Sequence, residues 1–271
     1  MQSEKILGVE RTTYFFYVSI PAGVQRRTIE NSMRACLFPT YAGEVTALVG
    51  ASGSGKSLLA HAVMGLLPYN ASMDGEIFYR ERLLEKEQIE QLRGSEILLV
   101  PQGASYLDPL MKSGAQILKG SRDPQKKTKL KEIFQRYHLK EDAAALYPFE
   151  LSGGMSRRVL IAAATIEEPR LVIADEPTPG LEKKTAKMVM GHFRELAEMG
   201  SSVLVITHDL ELAVETADRI LVMHEGRVAE EAFPADFQAE ETLRHPYTKA
   251  LWRAMPSHWS VSARGANDEE R

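Results

Sequence analysis

The 271-residue chain has one cysteine, Cys36, so no disulfide can close within it and no cysteine-based cluster can be held by this chain alone. Cys36 itself reads as a small buried hydrophobe. Charge of one sign is not in excess: a formal net charge of -4 offers no broadly basic face for a phosphate backbone, which argues against nucleic acid as a partner. Long apolar runs are also missing. The opening stretch "MQSEKILGVERTTYFFYVSIPAG" falls far short of the ~20 apolar residues of a membrane helix and lacks the pattern of a secretory signal, so the expectation is a cytoplasmic chain that does not span a bilayer. The seven histidines include no pair at the i, i+4 spacing of a helical metal site. There is no internal repeat, no long coiled-coil insertion and no second copy of any motif described below.

What is present suits an ordinary globule with a core: 44% hydrophobic and 26% charged residues. Short runs rich in β-branched residues recur at "VTALVG" (45–50), "EILLVPQ" (96–102), "LVIADEP" (171–177), "SVLVITHD" (202–209) and "RILVMHEG" (219–226). Apolar on consecutive positions and bounded by turn residues, they predict strands buried on both faces of a largely parallel sheet. Helices are predicted over 56–66 and over 182–199, where Gly200 suits the C-terminal cap. Between Gln102 and Glu168 the strand pattern stops, and helices near 125–138 and 153–166 suggest a helical insertion. After Gly226 come a short strand, a polar stretch and "HPYTKALWRAMP" (245–256), with Tyr247, Ala250, Leu251 and Ala254 at helical spacing. Tyr247 and Trp252 are expected to pack that helix without any metal.

The segment "GASGSGKS", Gly50, Ala51, Ser52, Gly53, Ser54, Gly55, Lys56 and Ser57, fits the phosphate-binding pattern G-x-x-x-x-G-K-[ST] and lies between a predicted strand and a predicted helix. Its glycines let successive backbone N–H groups turn inward, and the helix N-terminus adds positive potential. Lys56 is then placed to reach the β- and γ-phosphates of a nucleotide, and Ser57 to ligate Mg²⁺. The predicted strand ending in two carboxylates supplies the complement, with Asp175 for Mg²⁺ and Glu176 to orient and polarise an attacking water. Pro177 ends the strand.

A second glycine-rich helix start, "LSGGMSRR" (151–158), makes the reading specific. The set "GASGSGKS", "VPQ", "LSGGMSRR", "LVIADEPT" and "ITHDL", in that order, resembles the ATP-binding subunit of ABC transporters across nearly the whole chain. The resemblance implies an α/β fold with a P-loop, RecA-like core and an inserted helical subdomain. Its segments would be 1–102 and 167–230 for the nucleotide-binding subdomain, 103–166 for the helical subdomain and 231–271 for a C-terminal extension. It further implies ATP and Mg²⁺ as cofactors. Ser152, Gly153 and Gly154 would contact ATP held by the P-loop of a second ATPase subunit, in a head-to-tail dimer with two shared sites. Gln102 would contact Mg²⁺ or the attacking water, His208 would touch the γ-phosphate and Glu176, and an early aromatic, Phe16 by preference, would stack on adenine.

The remaining partners implied are two transmembrane permease subunits and an extracytoplasmic binding protein, with the chain peripheral on the cytoplasmic face of the inner membrane. A heterodimer of ATPase subunits is expected, with a homodimer as the alternative. Within the family, "LRHPYTKALWRAMP" resembles the ending of oligopeptide, dipeptide and nickel importer subunits, and "LYPFELSGGM" and "PQGASYLDP" are closer to the nickel and metallophore members than to the peptide ones. Cysteines that often follow this ending there are missing, so no iron–sulfur cluster is expected. Met155 stands where the signature usually has Gln, and Glu182 where an aspartate usually couples the two sites. The rival readings are a non-transport ABC ATPase and a hydrolysis-poor regulatory subunit.

Overall fold

The computed structural model describes residues 4–18, 27–29, 38–68, 71–102, 106–121 and 123–256. In chain order the strands are β1 (Lys5–Val18), β2 (Arg27–Ile29), β3 (Phe38–Tyr41), β4 (Val45–Val49), β5 (Ala71–Tyr79), β6 (Arg82–Leu83), β7 (Ile97–Val100), β8 (Leu171–Asp175), β9 (Ser202–Thr207), β10 (Arg219–His224) and β11 (Arg227–Ala232). The helices are α1 (Lys56–Val63), α2 (Lys86–Leu92), α3 (Ser113–Ile117), α4 (Pro124–Arg136), α5 (Gly153–Thr165), α6 (Lys183–Glu198), α7 (Leu210–Thr216) and α8 (Pro246–Arg253), with single 3-10 turns between some of them.

Six strands make the larger sheet, in the order β11-β10-β4-β9-β8-β7. All neighbours in it are parallel except the β10–β11 hairpin. Successive residues serve opposite faces. Val45, Ala47 and Val49 of β4 and Val203 and Val205 of β9 join a cluster with Val159 of α5 and Val189 and Phe193 of α6. Leu48, Leu204 and Ile206 join the other, with Leu59, Ala60 and Val63 of α1. A strand covered on both faces gains ~1.5–3 kcal/mol from each fully buried Val, Leu or Ile, which is why these segments are apolar at most positions.

The second sheet is antiparallel, β2-β1-β5-β6 with β3 also on β1. Ile6, Leu7, Val9 and Ile77 pack from it into the cluster that holds α1, so the helix leaving the glycine loop is packed by both sheets. Between Gln102 and Glu168 the described residues form helices and turns and no strand. Helix α1 stops at Val63, short of the predicted residue 66, because Gly65 turns into the left-handed region at φ 62. Cys36 lies outside the described residues, as do the side chains of the aromatic segment 14–17, Phe16 included. The backbone of Phe16 pairs with Ile29 and Ala71 in β1. Among the described residues no helix is long and apolar enough to cross a membrane.

Candidate nucleotide site

Strand order brings the motifs together. β9 lies between β4 and β8, with Val49 level with Thr207 and Asp175 level with Ile206, so the glycine loop, the two carboxylates and His208 leave the sheet side by side at its carboxyl edge. At Gly50 a Cβ would lie 2.2 Å from the Met223 carbonyl oxygen of β10, leaving no space for a side chain. Gly55, at φ 99, is the N-cap of α1 and supplies no side-chain cap, so the first-turn N–H groups stay available to an anion. Lys56 is buried inside the loop, donating to Gly50 O at 2.8 Å and Ala51 O at 2.9 Å. Burial lowers its pKa, against the opposing pull of Glu176 and Asp175.

Ser57 Oγ donates to Asp175 Oδ1 at 3.0 Å. Asp175 is buried, and loss of solvent raises its pKa despite the Ser57 hydrogen bond and the attraction of His61 and Lys56. Next to it Glu176 sits at φ 49, a left-handed conformation that costs a non-glycine residue of the order of 1 kcal/mol or more. Two hydrogen bonds clamp it: its N–H donates to Ile206 O at 2.9 Å, and its carbonyl accepts from Arg157 Nη2 at 3.2 Å. Its carboxylate Oε2 lies 2.7 Å from His208 Nδ1. The backbone N–H of Asp209 donates to Thr207 Oγ1, and Asp209 caps α7 by accepting from Leu212 N, so His208 is fixed between strand end and helix start.

A cleft of about 1060 Å³ runs over this edge, lined by Ser52 to Leu58, Gln102, Glu176, the β10–β11 turn from His224 to Ala229, and His245. Of the residues singled out from sequence, the cleft joins the glycine loop, Gln102 and Glu176. Ser152, Gly153 and Gly154 do not line it. They start α5, where Ser152 is the N-cap and its Oγ accepts from Met155 N at 3.3 Å. A Cβ added at Gly153 or Gly154 would meet nothing within 4 Å among the described residues, so within them this second helix start faces open space.

Four contributors escaped the sequence reading as parts of the site. Arg157, on α5, is buried and donates to Pro101 O, Gln102 O and Glu176 O, tying the signature helix to both loops at the sheet edge. His224 and His245 line the cleft, and Tyr247 Oη accepts the N–H of Ala51 at 3.0 Å. The doubled arginine at 157–158 was a visible signal, but nothing in the sequence says which of the two turns inward.

The sequence profile of the ABC transporter family matches residues 34–179. The chain is 36% identical over 241 residues to a dipeptide transport ATP-binding protein of Bacillus subtilis (strain 168), covering 83% of this chain and 71% of that one. It is 37% identical over 245 residues to the protein of that description from Escherichia coli (strain K12), covering 84% and 72%. An oligopeptide transport ATP-binding protein of Lactococcus lactis subsp. cremoris (strain SK11) is 33% identical over 276 residues, covering 97% and 79%. Among solved structures, an ATP-binding cassette in a dimeric post-hydrolysis state bound to ADP and Pi superposes with a TM-score of 0.70 at 25% identity, covering 84% of this chain and 99% of that one.

Proposed function

We propose that this chain, which belongs to the ABC transporter family, is the ATP-hydrolysing subunit of an importer of dipeptides or oligopeptides. The observation that carries the catalytic part is the juxtaposition at one sheet edge of a buried P-loop lysine, the Ser57–Asp175 pair and the Glu176–His208 pair. In this reading the N–H groups from Gly53 to Ser57 cradle the phosphates and Lys56 offsets their charge. Glu176 orients the attacking water, and His208 holds the Glu176 carboxylate in position. Mg²⁺ fits the residues present: Ser57 and Asp175 already share a hydrogen bond, and the Asp175 carboxylate is buried where a cation would stabilise its charge. With Gln102 they would hold the ion, which when bound neutralises charge on the β- and γ-phosphates. Base stacking by Phe16 belongs to the same proposal, as does the division into segments 1–102, 103–166, 167–230 and 231–271.

The bare helix start at Ser152, Gly153 and Gly154 is assigned to ATP held by a second ATPase subunit. Its exclusion from the chain's own cleft supports this, as does the dimeric state of the solved cassette. Two permease subunits would dock on the exposed apolar side chains near Gln102 and the signature, Tyr106, Leu110 and Phe149, which are 65%, 87% and 75% exposed. Peripheral attachment to a membrane, on its cytoplasmic face, follows from that docking, and an extracytoplasmic binding protein would deliver the cargo.

Peptide is the favoured cargo because relatives named for dipeptide or oligopeptide transport match over most of both chains. Nickel or another metal chelate is the second reading, on the segments "LYPFELSGGM" and "PQGASYLDP". The test is ATP hydrolysis by the reconstituted transporter with dipeptide, oligopeptide or nickel chelate on the binding-protein side. Peptide stimulation that disappears in Glu176→Gln is expected. Stimulation by the chelate alone would transfer the assignment to metal uptake, and undiminished turnover in Glu176→Gln would refute the role of Glu176.

A further inference from the structure

We propose that Tyr247, in the first turn of α8, is a positioning residue for Lys56, acting by fixing the plane of the Gly50–Ala51 peptide. This rests on the ATPase reading above and adds a role for the C-terminal helix within it. The two ends of one peptide group carry the argument. Its N–H, on Ala51, donates to Tyr247 Oη at 3.0 Å, and its carbonyl, on Gly50, accepts from Lys56 Nζ at 2.8 Å. If this peptide turned over, an N–H would face the ammonium in place of the carbonyl, and two donors would meet. The backbone by itself is a weak guard against that turn. Position 50 is glycine because the Met223 carbonyl leaves no space for a Cβ, and at ψ of residue 50, one of the two dihedrals such a turn changes, glycine offers little resistance. The phenol removes this freedom from outside the loop. A donor bond at the N–H also polarises the carbonyl at the other end and strengthens its hold on the lysine.

Tyr247 is itself rigidly held, as a positioning role requires. Its ring stacks on His224 of β10, the strand beside β4, with centroids 3.8 Å apart and planes 17° from parallel. The start of α8 is anchored by the buried Glu230 of β11, whose carboxylate accepts from Arg244 N at 2.8 Å and His245 N at 2.9 Å. The far end of α8 is tied by Trp252 Nε1 donating to Phe237 O at 2.7 Å. The chain from Glu230 to Tyr247 to Ala51 thus transmits the placement of the first turn of α8, and not of its far end, to the phosphate cradle, 196 positions earlier in sequence.

Tyr247→Phe keeps the ring and its stacking and deletes only the acceptor. ATP affinity of the full chain, measured by direct nucleotide binding, is expected to fall by about 5–10-fold, the scale of one hydrogen bond. In the assembled transporter, KM for ATP should rise by a similar factor. Turnover at saturating ATP should stay within about twofold, because bound nucleotide itself selects the orientation that holds Lys56. Trp252→Phe serves as the control for stability, since it loosens α8 at its far end and leaves the hydroxyl in place. It should lower the melting temperature and leave ATP affinity within about twofold of wild type. Unchanged ATP affinity in Tyr247→Phe would overturn the proposal, as would an equal loss in Trp252→Phe, which would mean that α8 acts only through overall stability. A wild-type chain that bound no ATP would instead remove the ATPase reading on which the proposal stands.

Discussion

Arg157→Gln tests whether the signature helix holds the catalytic loops by the contacts described. The guanidinium is buried, its pKa lowered by desolvation, and its donors go to Pro101 O at 3.4 Å, Gln102 O, and Glu176 O at 3.2 Å. A hydrogen bond from a charged donor contributes roughly 1.5–3 kcal/mol, and two of these three are long, so the set is worth about 4 kcal/mol. Relief of the buried charge in the variant returns about half of that. The remaining ~2 kcal/mol corresponds to about 30-fold in rate if it is lost where Glu176 acts. Glu176 is the natural place for the loss, because its left-handed backbone is clamped at its carbonyl by Arg157 alone among the hydrogen bonds described there. The P-loop is untouched by the substitution, so KM for ATP should change by less than about twofold. The assay is steady-state ATP hydrolysis by the assembled complex, with nucleotide binding and thermal unfolding of the chain alongside. A folded variant with kcat within about twofold of wild type, or a loss confined to KM, would refute the reasoning.

Ser152→Arg should leave ATP binding by the lone chain within about twofold of wild type and reduce turnover of the assembled complex by about 100-fold or more; a large loss of affinity in the lone, folded chain would mean that the signature serves the chain's own nucleotide. Asp175→Asn should stabilise the nucleotide-free chain at pH 7 while abolishing Mg²⁺-dependent hydrolysis. Because burial raises the pKa of Asp175, the folded chain binds this proton more tightly than the unfolded one. The contribution is therefore favourable below the ordinary aspartate range and lost as pH climbs from there through the raised value. Melting temperature at pH 7 should rise by ~2–4 °C per kcal/mol relieved, with the difference from wild type closing as pH falls below about 4, and a lower melting temperature at pH 7 would count against the desolvation argument.

The parallel strands were legible because burial on both faces writes itself into consecutive positions: Val45–Val49 and Ser202–Thr207 are buried at every residue. The antiparallel sheet was not. β5 carries Asp74 and Gly75 within its span, and β1 carries a register shift between Glu10 and Thr13, so local propensity speaks against strands that only pairing across some sixty residues creates. Helices α2, α3 and α7 run for seven, five and seven residues, too short for a 3.6-residue period to declare itself. At the site, the grouping of the glycine loop with Asp175 and Glu176 was legible because each is a contiguous motif set at the end of a predicted strand. The contacts of Arg157 and Tyr247 depend on which helix face turns inward and on the adjacency of β10 to β4, neither of which is written near those residues.

The physical contrast between the two glycine-rich helix starts explains why one chain carries both. The start at Gly55 is complete within the chain, since Lys56 lies inside the loop, Asp175 is bonded to Ser57, and the cleft has walls on several elements. The start at Ser152 has donors and little else. Among the described residues its glycines face open space and its cap hydroxyl is engaged only with Met155 N, and the arginine one turn along the helix is turned away toward the carbonyls of Gln102 and Glu176. A few exposed N–H groups and a helix terminus hold a free anion weakly in water, contributing about 1 kcal/mol, so by itself this surface is a weak anion site, and the proposed function has the phosphate delivered to it by another body. On the proposed assignment that body is a second ATPase subunit, and the inward turn of Arg157 then acquires a consequence. A phosphate that seats on the N-terminus of α5 pulls on a helix whose buried guanidinium holds the chain's own Gln102 and Glu176 loops. On that assignment, engagement of the α5 start would be passed, through Arg157, to the loops that carry Gln102 and Glu176.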